Sequence, residues 1–431
     1  MFDVPSSGLL AFGLFFVFLL ANFPISISLG LAGVTAFALF NIAPFQTLPM
    51  IFSGAISSFA LLAIPLFIVA GNMLAKTGVA TRLIYLAQVI VGRLPGGLAI
   101  TVIVAGAFLG ALSGSNVAAI AALGFLIGAM HRVGYPIGFA CATVAAGCTF
   151  GVVIPPSINL ILYGVIANTS IPALFAAGIG PGLTLVVVLS IYVYIVAKVK
   201  KFPIAQVERS WPIFWKALRD AFWGLMAPVI VLGGIYGGIF TATEAAAVMV
   251  VYVFLIDRFV YKEMDWREYP YMMLGSGITT GVVMLILAMA SILSYVLMMD
   301  GTASLVRDWL VQISGGSMVV MLLLVNVILI FAGMFLDPVS AIYLLVPLFL
   351  PAVQAVGVDT IHFGAIMTVN LSMAHITPPV GLALYLAAQI ADIPFPQAAR
   401  AAIPFVICEL IVLGIITFVP SISLIFVEWL A

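Results

Sequence analysis

Long apolar stretches recur along the whole chain and leave few polar positions between them. Stretches long enough for a bilayer, which needs about 20 residues, include 50–75, 176–197, 270–299 and 402–427. Of the 431 residues, 65% are hydrophobic and only 7% are charged, whereas soluble domains carry about 25% charged residues. So few charges cannot cover a water-facing surface of this size. The pattern predicts an all-α polytopic membrane protein, and the apolar run from Gly8 lacks the basic start of a signal peptide and is the predicted first span.

The positively charged residues are clustered, which predicts how the spans are oriented. Cytoplasmic loops carry an excess of Lys and Arg. If both termini are periplasmic, and if residues 97–130 and 318–351 enter and return on one side, all of the 15 Lys and Arg residues except Arg307 lie inside. The densest basic group falls in residues 198–221, which we predict to be an amphipathic arm along the cytoplasmic interface.

The two halves of the chain match at a fixed offset of 223 residues. The double proline Pro155–Pro156 aligns with Pro378–Pro379 at this offset. Further matches at the same offset are Gly78 with Gly301, Phe108 with Phe331, Gly110 with Gly333, Ala118 with Ala341, and Pro181 with Pro404. We therefore divide the chain into a first repeat, 1–197, and a second repeat, 222–431, joined by the arm.

Each repeat is predicted to contain about five transmembrane crossings and one re-entrant hairpin. Because five is odd, the second copy must be inverted in the membrane, and inverted repeats with interrupted helices are typical of secondary transporters. The first repeat has scaffold helices within 8–75, a hairpin at 97–130 and a broken helix at 136–167. The second has a hairpin at 318–351 and a broken helix at 361–391. Prolines break helices, and in a membrane the freed carbonyl groups are tolerated where they line a polar cavity.

The two hairpin tips carry the polar residues that stand out most. Ser113, Gly114, Ser115 and Asn116 form a run of small polar residues that offers oxygen ligands; the alternative is close helix packing through small residues. In the second hairpin, Asp337 precedes a proline. An ionisable residue at this depth indicates function, and the alternative is a tip that is simply solvated at the outer surface.

The two broken helices offer complementary charges at their breaks. The carbonyl end of a half-helix suits Na⁺, and the amide end suits an anionic group. His375, beside the second break, is either a hydrogen-bonded packing residue or a proton carrier. Glu244 is interpreted as a helix cap, and Glu409 as facing a partner subunit or a water pocket, so neither is placed in the core site. The cysteines Cys141, Cys148 and Cys408 have no metal-binding spacing, and no nucleotide-binding or nucleophile motif is present.

Four segments in order resemble the large membrane subunit of tripartite ATP-independent periplasmic (TRAP) transporters. They are SGSNVAAIAALG, VVIPPSINLILYG, FLDPVSAIYLLVPLFLP and GVDTIHFGAIMTVNLSMAHITPPVGLALY. The resemblance covers essentially the whole chain. It implies a sodium-coupled importer of a small organic anion in a bacterial inner membrane, working by an elevator mechanism. It also implies two protein partners: a small four-helix membrane subunit on a separate polypeptide, and a periplasmic substrate-binding protein.

The resemblance also implies specific sites for Na⁺, the coupling ion, with two or more ions and no organic cofactor. Carried over by residue, the first sodium site uses Ser113, Ser115 and Asn116 with carbonyls around Gly151 and Pro155. The second uses Asp337 with Thr377. The implied substrate contacts are Ser157, Asn159, Pro379 and Gly381.

Other functions stay open at the level of the sequence. A stand-alone sodium/divalent-anion symporter or related ion transporter shares this architecture and needs no binding protein. An intramembrane enzyme would need a paired nucleophile and base, and a channel would need a ring-forming filter; the chain shows neither, and nothing indicates nucleic-acid binding. The solute is not specified by the sequence: C4-dicarboxylates, sialic acid, sugar acids and sulfonates all fit.

Overall fold

The computed structural model describes residues 6–114, 116–203 and 210–430, with the backbone only at Ser113. The predicted sodium ligand Ser115 and the side chain of Ser113 therefore lie outside the described part. All regular structure in these ranges is helical. The helices of the first half are α1 (Ser6–Leu20), α2 (Ile25–Leu39), α3 (Thr47–Ile56), α4 (Ala63–Lys76), α5 (Val79–Val91), α6 (Gly97–Ser113), α7 (Asn116–Leu123), α8 (Phe125–Val133), α9 (Ile137–Cys148), α10 (Ile158–Ile166) and α11 (Ile171–Val199).

The second half contains ten further helices. They are α12 (Trp211–Tyr236), α13 (Ala242–Leu255), α14 (Glu268–Met299), α15 (Thr302–Ser314), α16 (Met318–Gly333), α17 (Pro338–Ala355), α18 (Thr360–Ala374), α19 (Leu382–Ile390), α20 (Phe395–Phe418) and α21 (Ser421–Leu430). A short 3-10 turn at Phe59–Leu62 leads into α4, and another at Thr149–Val152 follows α9. A π-helical turn at Ile256–Tyr261 follows α13.

Six helices in the described ranges are long and apolar enough to cross a membrane, with α7 and α8 forming a seventh candidate that is bent by 44°. The six are Phe59–Lys76, Ile171–Val199, Trp211–Tyr236, Glu268–Met299, Pro338–Ala355 and Phe395–Phe418. The broken helices are not among them because each is divided into two short segments. These helices confirm the all-α membrane fold that the sequence predicts.

Three predicted boundaries differ from the structure. The apolar run 50–75 is interrupted after Ile56, where the Ser57 hydroxyl donates to the Gly54 carbonyl at 3.1 Å and so competes with helix continuation. The run 402–427 is divided at Pro420, which cannot donate a helical hydrogen bond. The second half of the predicted arm 198–221 is part of a membrane-spanning helix rather than a separate segment. Helix α12 begins at Trp211 and continues unbroken to Tyr236.

Several helix bounds of the two halves coincide at the offset of 223. Adding 223 to α5, Val79–Val91, gives the bounds of α15, Thr302–Ser314. The same shift takes the first residue of α9 to the first residue of α18, and the end of α4 at Lys76 to the end of α14 at Met299. The sequence repeat is therefore also a repeat of secondary structure.

Equivalent residues of the two halves also meet in space. The Ser372 hydroxyl donates to the backbone carbonyl of Thr149 at 2.5 Å, and these two residues are 223 positions apart. Residues that contact their own equivalents lie near the axis that relates two repeats. Here the contact joins α18 to the 3-10 turn that ends the first half of the first broken helix, so the two breaks lie close together.

Candidate functional site

A cavity of about 330 Å³ lies where both hairpins and both broken helices meet. The hairpins contribute the tip of α6–α7 and the start of α17, and the broken helices contribute the segments around their breaks. Helices α4 and α14 form the remaining wall through Ile68, Asn72, Thr279 and Val283. The hairpins and broken helices line it with, among others, Gly114, Asn116, Asn159, Pro338, Val339 and His375.

The first hairpin tip is held against the first break by close backbone packing. Gly114 has φ +58° and lines the cavity, and a Cβ at this position would lie 3.1 Å from the carbonyl oxygen of Pro156. One turn earlier, a Cβ on Gly110 would lie 2.7 Å from the backbone nitrogen of Gly151. Glycine is therefore needed for two reasons: a left-handed backbone at the tip and direct contact with the 3-10 turn. The structure thus brings the predicted site residue Gly151 beside the hairpin.

Asn116 and His375 join the first hairpin to the second broken helix. The Nδ2 of Asn116 lies 2.5 Å from the Nδ1 of His375. The amide nitrogen is placed as the donor in this contact and the ring nitrogen as the acceptor. The Oδ1 of Asn116 is buried and has no partner among the described residues. His375 is thus hydrogen-bonded, as one of its two interpretations expects, and it also lines the cavity.

Asn159, which lines the same cavity, carries a second buried amide atom without a partner. It lies in the first turn of α10, is 2% exposed, and its Nδ2 has no hydrogen-bond partner in the described part of the chain. The neighbouring Ser157 caps α10, and its hydroxyl donates to the carbonyl of Val152 at 2.5 Å. Ser157 is therefore committed to local structure, whereas Asn159 retains two free donors beside a helix N-terminus, which carries a partial positive charge.

The residues of the second predicted sodium site are not joined by a hydrogen bond. Asp337 caps α17: its carboxylate accepts from the Ser340 backbone nitrogen at 3.2 Å and from the Ser340 hydroxyl at 2.5 Å. Thr377 donates its hydroxyl to the carbonyl of Met373 at 2.8 Å. The next two residues of α17, Pro338 and Val339, line the cavity, whereas Asp337 itself is not among the residues that line it.

The remaining predicted contacts lie at the two breaks and are not among the residues that line the cavity. Pro379 is exposed and Gly381 is buried. Gly381 adopts φ +52°, and a Cβ there would lie 3.4 Å from the Thr377 carbonyl oxygen. Pro155 is buried at the first break, where its peptide bond with the following proline is cis, as is the bond joining the second proline pair.

Several buried polar contacts were not assigned from the sequence. Asn72 of α4 donates to the Ser276 hydroxyl of α14 at 2.9 Å. In the second repeat, Asn370 donates to the side-chain oxygen of Asn326 at 2.9 Å, and Asn326 donates to the Thr417 hydroxyl at 3.0 Å. The signal that could have found them is the rarity of amide side chains within apolar spans.

Glu244 has the capping role that the sequence indicates. It forms a capping box with Thr241: its carboxylate accepts from the Thr241 backbone nitrogen at 2.8 Å, while its own backbone nitrogen donates to the Thr241 hydroxyl. This prediction is confirmed, and it removes Glu244 from consideration as a cavity residue.

Comparison with known proteins identifies the family. The family described as "Tripartite ATP-independent periplasmic transporter, DctM component" matches residues 12–422. The chain belongs to this DctM family. It is therefore a transporter permease component rather than an enzyme, and this TRAP family assigns it to the inner membrane as a multi-pass protein that works with a periplasmic binding protein and a small membrane subunit.

Two relatives show how far the similarity extends. The chain is 40% identical over 404 residues to the C4-dicarboxylate TRAP transporter large permease protein DctM of Pseudomonas aeruginosa, covering 94% of each chain. It is 38% identical to the isethionate TRAP transporter permease protein DctMQ of Oleidesulfovibrio alaskensis, covering 96% of this chain and 65% of that one.

One solved structure matches the fold over nearly the whole chain. It is the YdaH transporter of Alcanivorax borkumensis, described as having an unusual topology. The TM-score is 0.58, the sequence identity is 17%, and the match covers 99% of this chain and 98% of that chain. This likeness concerns the fold alone.

Proposed function

We propose that this DctM-family chain imports a small organic anion together with Na⁺, and that the cavity between the two hairpins is where the solute and ions bind. The observation that carries the proposal is the pair of unpaired amide atoms in one cavity. The Oδ1 of Asn116 is an acceptor suited to a cation, and the Nδ2 of Asn159 is a donor suited to an anion. Buried polar groups normally have partners, so these two atoms indicate ligands of opposite charge.

The lining favours an anion that is neutralised by Na⁺ rather than by the protein. None of the described residues that line the cavity is Lys, Arg, Asp or Glu. An anion there would meet the Asn159 amide and the N-terminus of α10, and its remaining charge would be balanced by Na⁺ on oxygen ligands. The predicted ligands are Asn116, Ser113 and Ser115 with carbonyls around Gly151 and Pro155 for one ion, and Asp337 with Thr377 for the other.

The energy for accumulation would come from the sodium gradient. Each Na⁺ that enters down a membrane potential of 100 mV releases about 2.3 kcal/mol from the electrical term. Two ions that accompany one monovalent anion leave a net inward positive charge, so the potential assists uptake. The concentration gradient of Na⁺ adds to this term.

The arrangement of the cavity wall supports an elevator mechanism. The first hairpin and the first broken helix approach one another at the backbone, as at Gly110 and Gly151, whereas α4 and α14 supply another part of the cavity wall. We infer that the four segments move together as a transport domain past a scaffold that includes α4 and α14. The solute would then stay bound to one set of residues while access changes sides.

The volume of the cavity and the names of the two relatives favour a small acid as the solute. A cavity of about 330 Å³ is at the small end of ligand sites and fits a short acid. The two relatives named above are described by a C4-dicarboxylate and by isethionate. We propose a small carboxylate or sulfonate, delivered by a periplasmic substrate-binding protein to this chain and a separate small membrane subunit.

Reconstituted transport tests the proposal. Proteoliposomes that contain this chain and its small subunit are given an inward Na⁺ gradient and a labelled C4-dicarboxylate or isethionate, with and without the binding protein. We expect uptake to require both Na⁺ and the binding protein. Uptake with Na⁺ alone would instead support the stand-alone symporter, and uptake without Na⁺ would refute the coupling.

A cavity variant with a matched control locates the site. Asn159→Leu removes the unpaired donor, and we expect uptake to fall about tenfold or more, the equivalent of about 1.4 kcal/mol. Gln389→Leu makes the same kind of change at an exposed position on α19 outside the cavity and should leave uptake unchanged. Equal uptake by both variants would contradict the assignment of Asn159.

A further inference from the structure

Glu409 is a buried carboxyl group that the proposed transport cycle does not use. It lies in the middle of α20 and is 1% exposed. Its Oε1 is 3.1 Å from the hydroxyl oxygen of Thr149. Neither ion pair among the described side chains, Arg82–Glu263 and Arg307–Asp308, involves it. A buried carboxylate without a cation is costly, and such groups are commonly neutralised instead.

The hydrogen atoms at Thr149 indicate how Glu409 is neutralised. The Thr149 hydroxyl oxygen is 2.7 Å from the backbone carbonyl of Ala146 and 3.1 Å from Glu409 Oε1. A hydroxyl has one hydrogen and two lone pairs. The Thr149 hydroxyl is placed as the donor to both oxygens, but it has a single hydrogen and cannot serve both acceptors fully. A protonated Glu409 carboxyl group would supply a second hydrogen and so satisfy both contacts.

We propose that Glu409 is a proton-binding site and that its protonated carboxyl donates to Thr149. The resulting chain runs from the Glu409 O–H to the Thr149 hydroxyl and from that hydroxyl to the Ala146 carbonyl. Loss of the proton would leave one hydrogen for two acceptors, and the Thr149 hydroxyl would turn its hydrogen from the Ala146 carbonyl to the carboxylate. The ligand of this site is therefore a proton, and its removal would release Thr149 from the preceding helical turn.

The proton site lies at the junction of the two broken helices. Thr149 is the first residue of the 3-10 turn that leads into the first break, and its carbonyl accepts the hydrogen bond from Ser372 of the second broken helix. A change in position of Thr149 would therefore alter the packing of both broken helices, which line the cavity. This position links protonation of Glu409 to the geometry of the site.

The repeat shows that the fold itself does not require a carboxyl group here. The residue equivalent to Glu409 in the first repeat, 223 positions earlier, is Val186 in α11. The same helix position is therefore occupied by an apolar side chain in the other copy. The carboxyl group is therefore present only in the second repeat at this pair of positions, and it lies beside the break of the first repeat.

Other ionisable side chains on the surrounding helices have different partners or positions. Helices α9, α11, α18 and α19 pack against α20. Their ionisable residues, with those of α20, are Cys141, Cys148, Tyr192, Tyr194, Lys198, His362, Tyr385, Arg400 and Cys408; His375 caps α18 and pairs with Asn116. In the described part of the chain, the only hydrogen bond to the Glu409 side chain is the one that joins it to Thr149. Glu409→Gln isolates its titration from theirs, because all of them remain in the variant.

The first test compares wild type with Glu409→Gln in purified protein and does not depend on the proposed function. The glutamine amide keeps a donor for Thr149 but cannot titrate. We expect an infrared carbonyl band of a protonated carboxyl group at neutral pH in wild type that is absent from the variant. Since the folded wild type holds a proton that the unfolded chain has released, its melting temperature should fall with pH relative to the variant.

The magnitude and the contrary result are both measurable. Between about pH 6 and about pH 9, we expect the wild-type melting temperature to fall by about 2 °C or more relative to Glu409→Gln. Parallel pH curves together with no band lost in the variant would overturn the proposal. Glu409→Val, which copies the first repeat, should also show no titration while losing the hydrogen bond, so it separates titration from simple packing.

The second test measures uptake and rests on the proposed function. Wild-type uptake should fall at high pH, whereas Glu409→Gln should keep uptake that varies less with pH. Thr149→Val removes the hydroxyl and should abolish the extra pH dependence in the same way. If no variant and no wild-type protein transports, the proposed function fails while the infrared and melting results still decide the proton site. Identical pH profiles for wild type and Glu409→Gln would contradict the proton site.

Discussion

The two roles that Asp337 could have, helix cap and sodium ligand, can be separated by substitution. The carboxylate accepts two hydrogen bonds from Ser340, one from its backbone nitrogen and one from its hydroxyl. Asp337→Asn keeps an oxygen that can accept these hydrogen bonds but removes the negative charge. Asp337→Ala removes both. If the carboxylate binds Na⁺, the asparagine variant should lose ion affinity while keeping the fold.

The expected magnitudes differ enough to be distinguished. Loss of an N-cap costs about 0.5–2 kcal/mol, and Asn caps about as well as Asp. We therefore expect the alanine variant to be destabilised by that amount and the asparagine variant to match wild type. An interaction with a charged group contributes about 1.5–3 kcal/mol. The Na⁺ concentration for half-maximal uptake should thus rise about 10- to 100-fold in both variants.

The assay combines thermal unfolding of purified protein with Na⁺ titration of uptake in proteoliposomes. Asp359→Asn is the matched control, because Asp359 caps α18 by accepting from the backbone nitrogens of Ile361 and His362, both at 2.9 Å, and is exposed away from the cavity. It should leave both measurements unchanged. If Asp337→Asn has the Na⁺ dependence of wild type, the carboxylate is a cap alone and the second sodium site must be sought elsewhere.

Two further variants test the packing around the site. Gly110→Ala places a Cβ 2.7 Å from the Gly151 backbone, so we expect a loss of about 1–3 kcal/mol in stability and of most uptake. Gly281→Ala, where no atom lies within 4 Å of the added Cβ, should be neutral or stabilising by up to about 1 kcal/mol; similar unfolding curves for the two would contradict this packing. Tyr163→Phe removes the hydrogen bond of 2.7 Å to the Thr360 carbonyl and should cost about 0.5–1.5 kcal/mol in thermal unfolding; an unchanged melting curve would show that this link between α10 and α18 does not stabilise the fold.

The repeat was the part of the fold that could be predicted best from the sequence. Two double prolines at one offset mark the breaks, because proline disrupts a helix wherever it falls in the interior. The offset found from them, 223, also relates helix bounds that carry no proline, such as those of α5 and α15. Hydropathy alone missed the interruptions at Ser57 and Pro420, since one or two residues barely change the mean over a span.

The site could be predicted only in part, for a physical reason. Residues near a break are recognisable from local sequence, and Gly114, Asn116 and Asn159 do line the cavity. The wall from α4 and α14 depends on tertiary packing that no local pattern encodes. The capping role of Asp337 was not predicted, although Asp followed by Pro at the first helical position is a frequent helix start.

The polar residues of the cavity show how a symmetric fold holds an asymmetric site. Asn116, Asn159 and His375 line it, and their equivalents at the offset of 223 line it too. Those equivalents are Val339, Leu382 and Val152. Every polar side chain of this set thus has an apolar counterpart in the other repeat. A single solute near the axis needs each hydrogen-bonding group once, and a second copy would leave a buried polar group unpaired at a cost of about 1–3 kcal/mol. Both repeats therefore contribute equivalent positions to the cavity wall, but at each pair of positions only one repeat carries the polar side chain. Glu409 and its apolar equivalent Val186 show the same asymmetry.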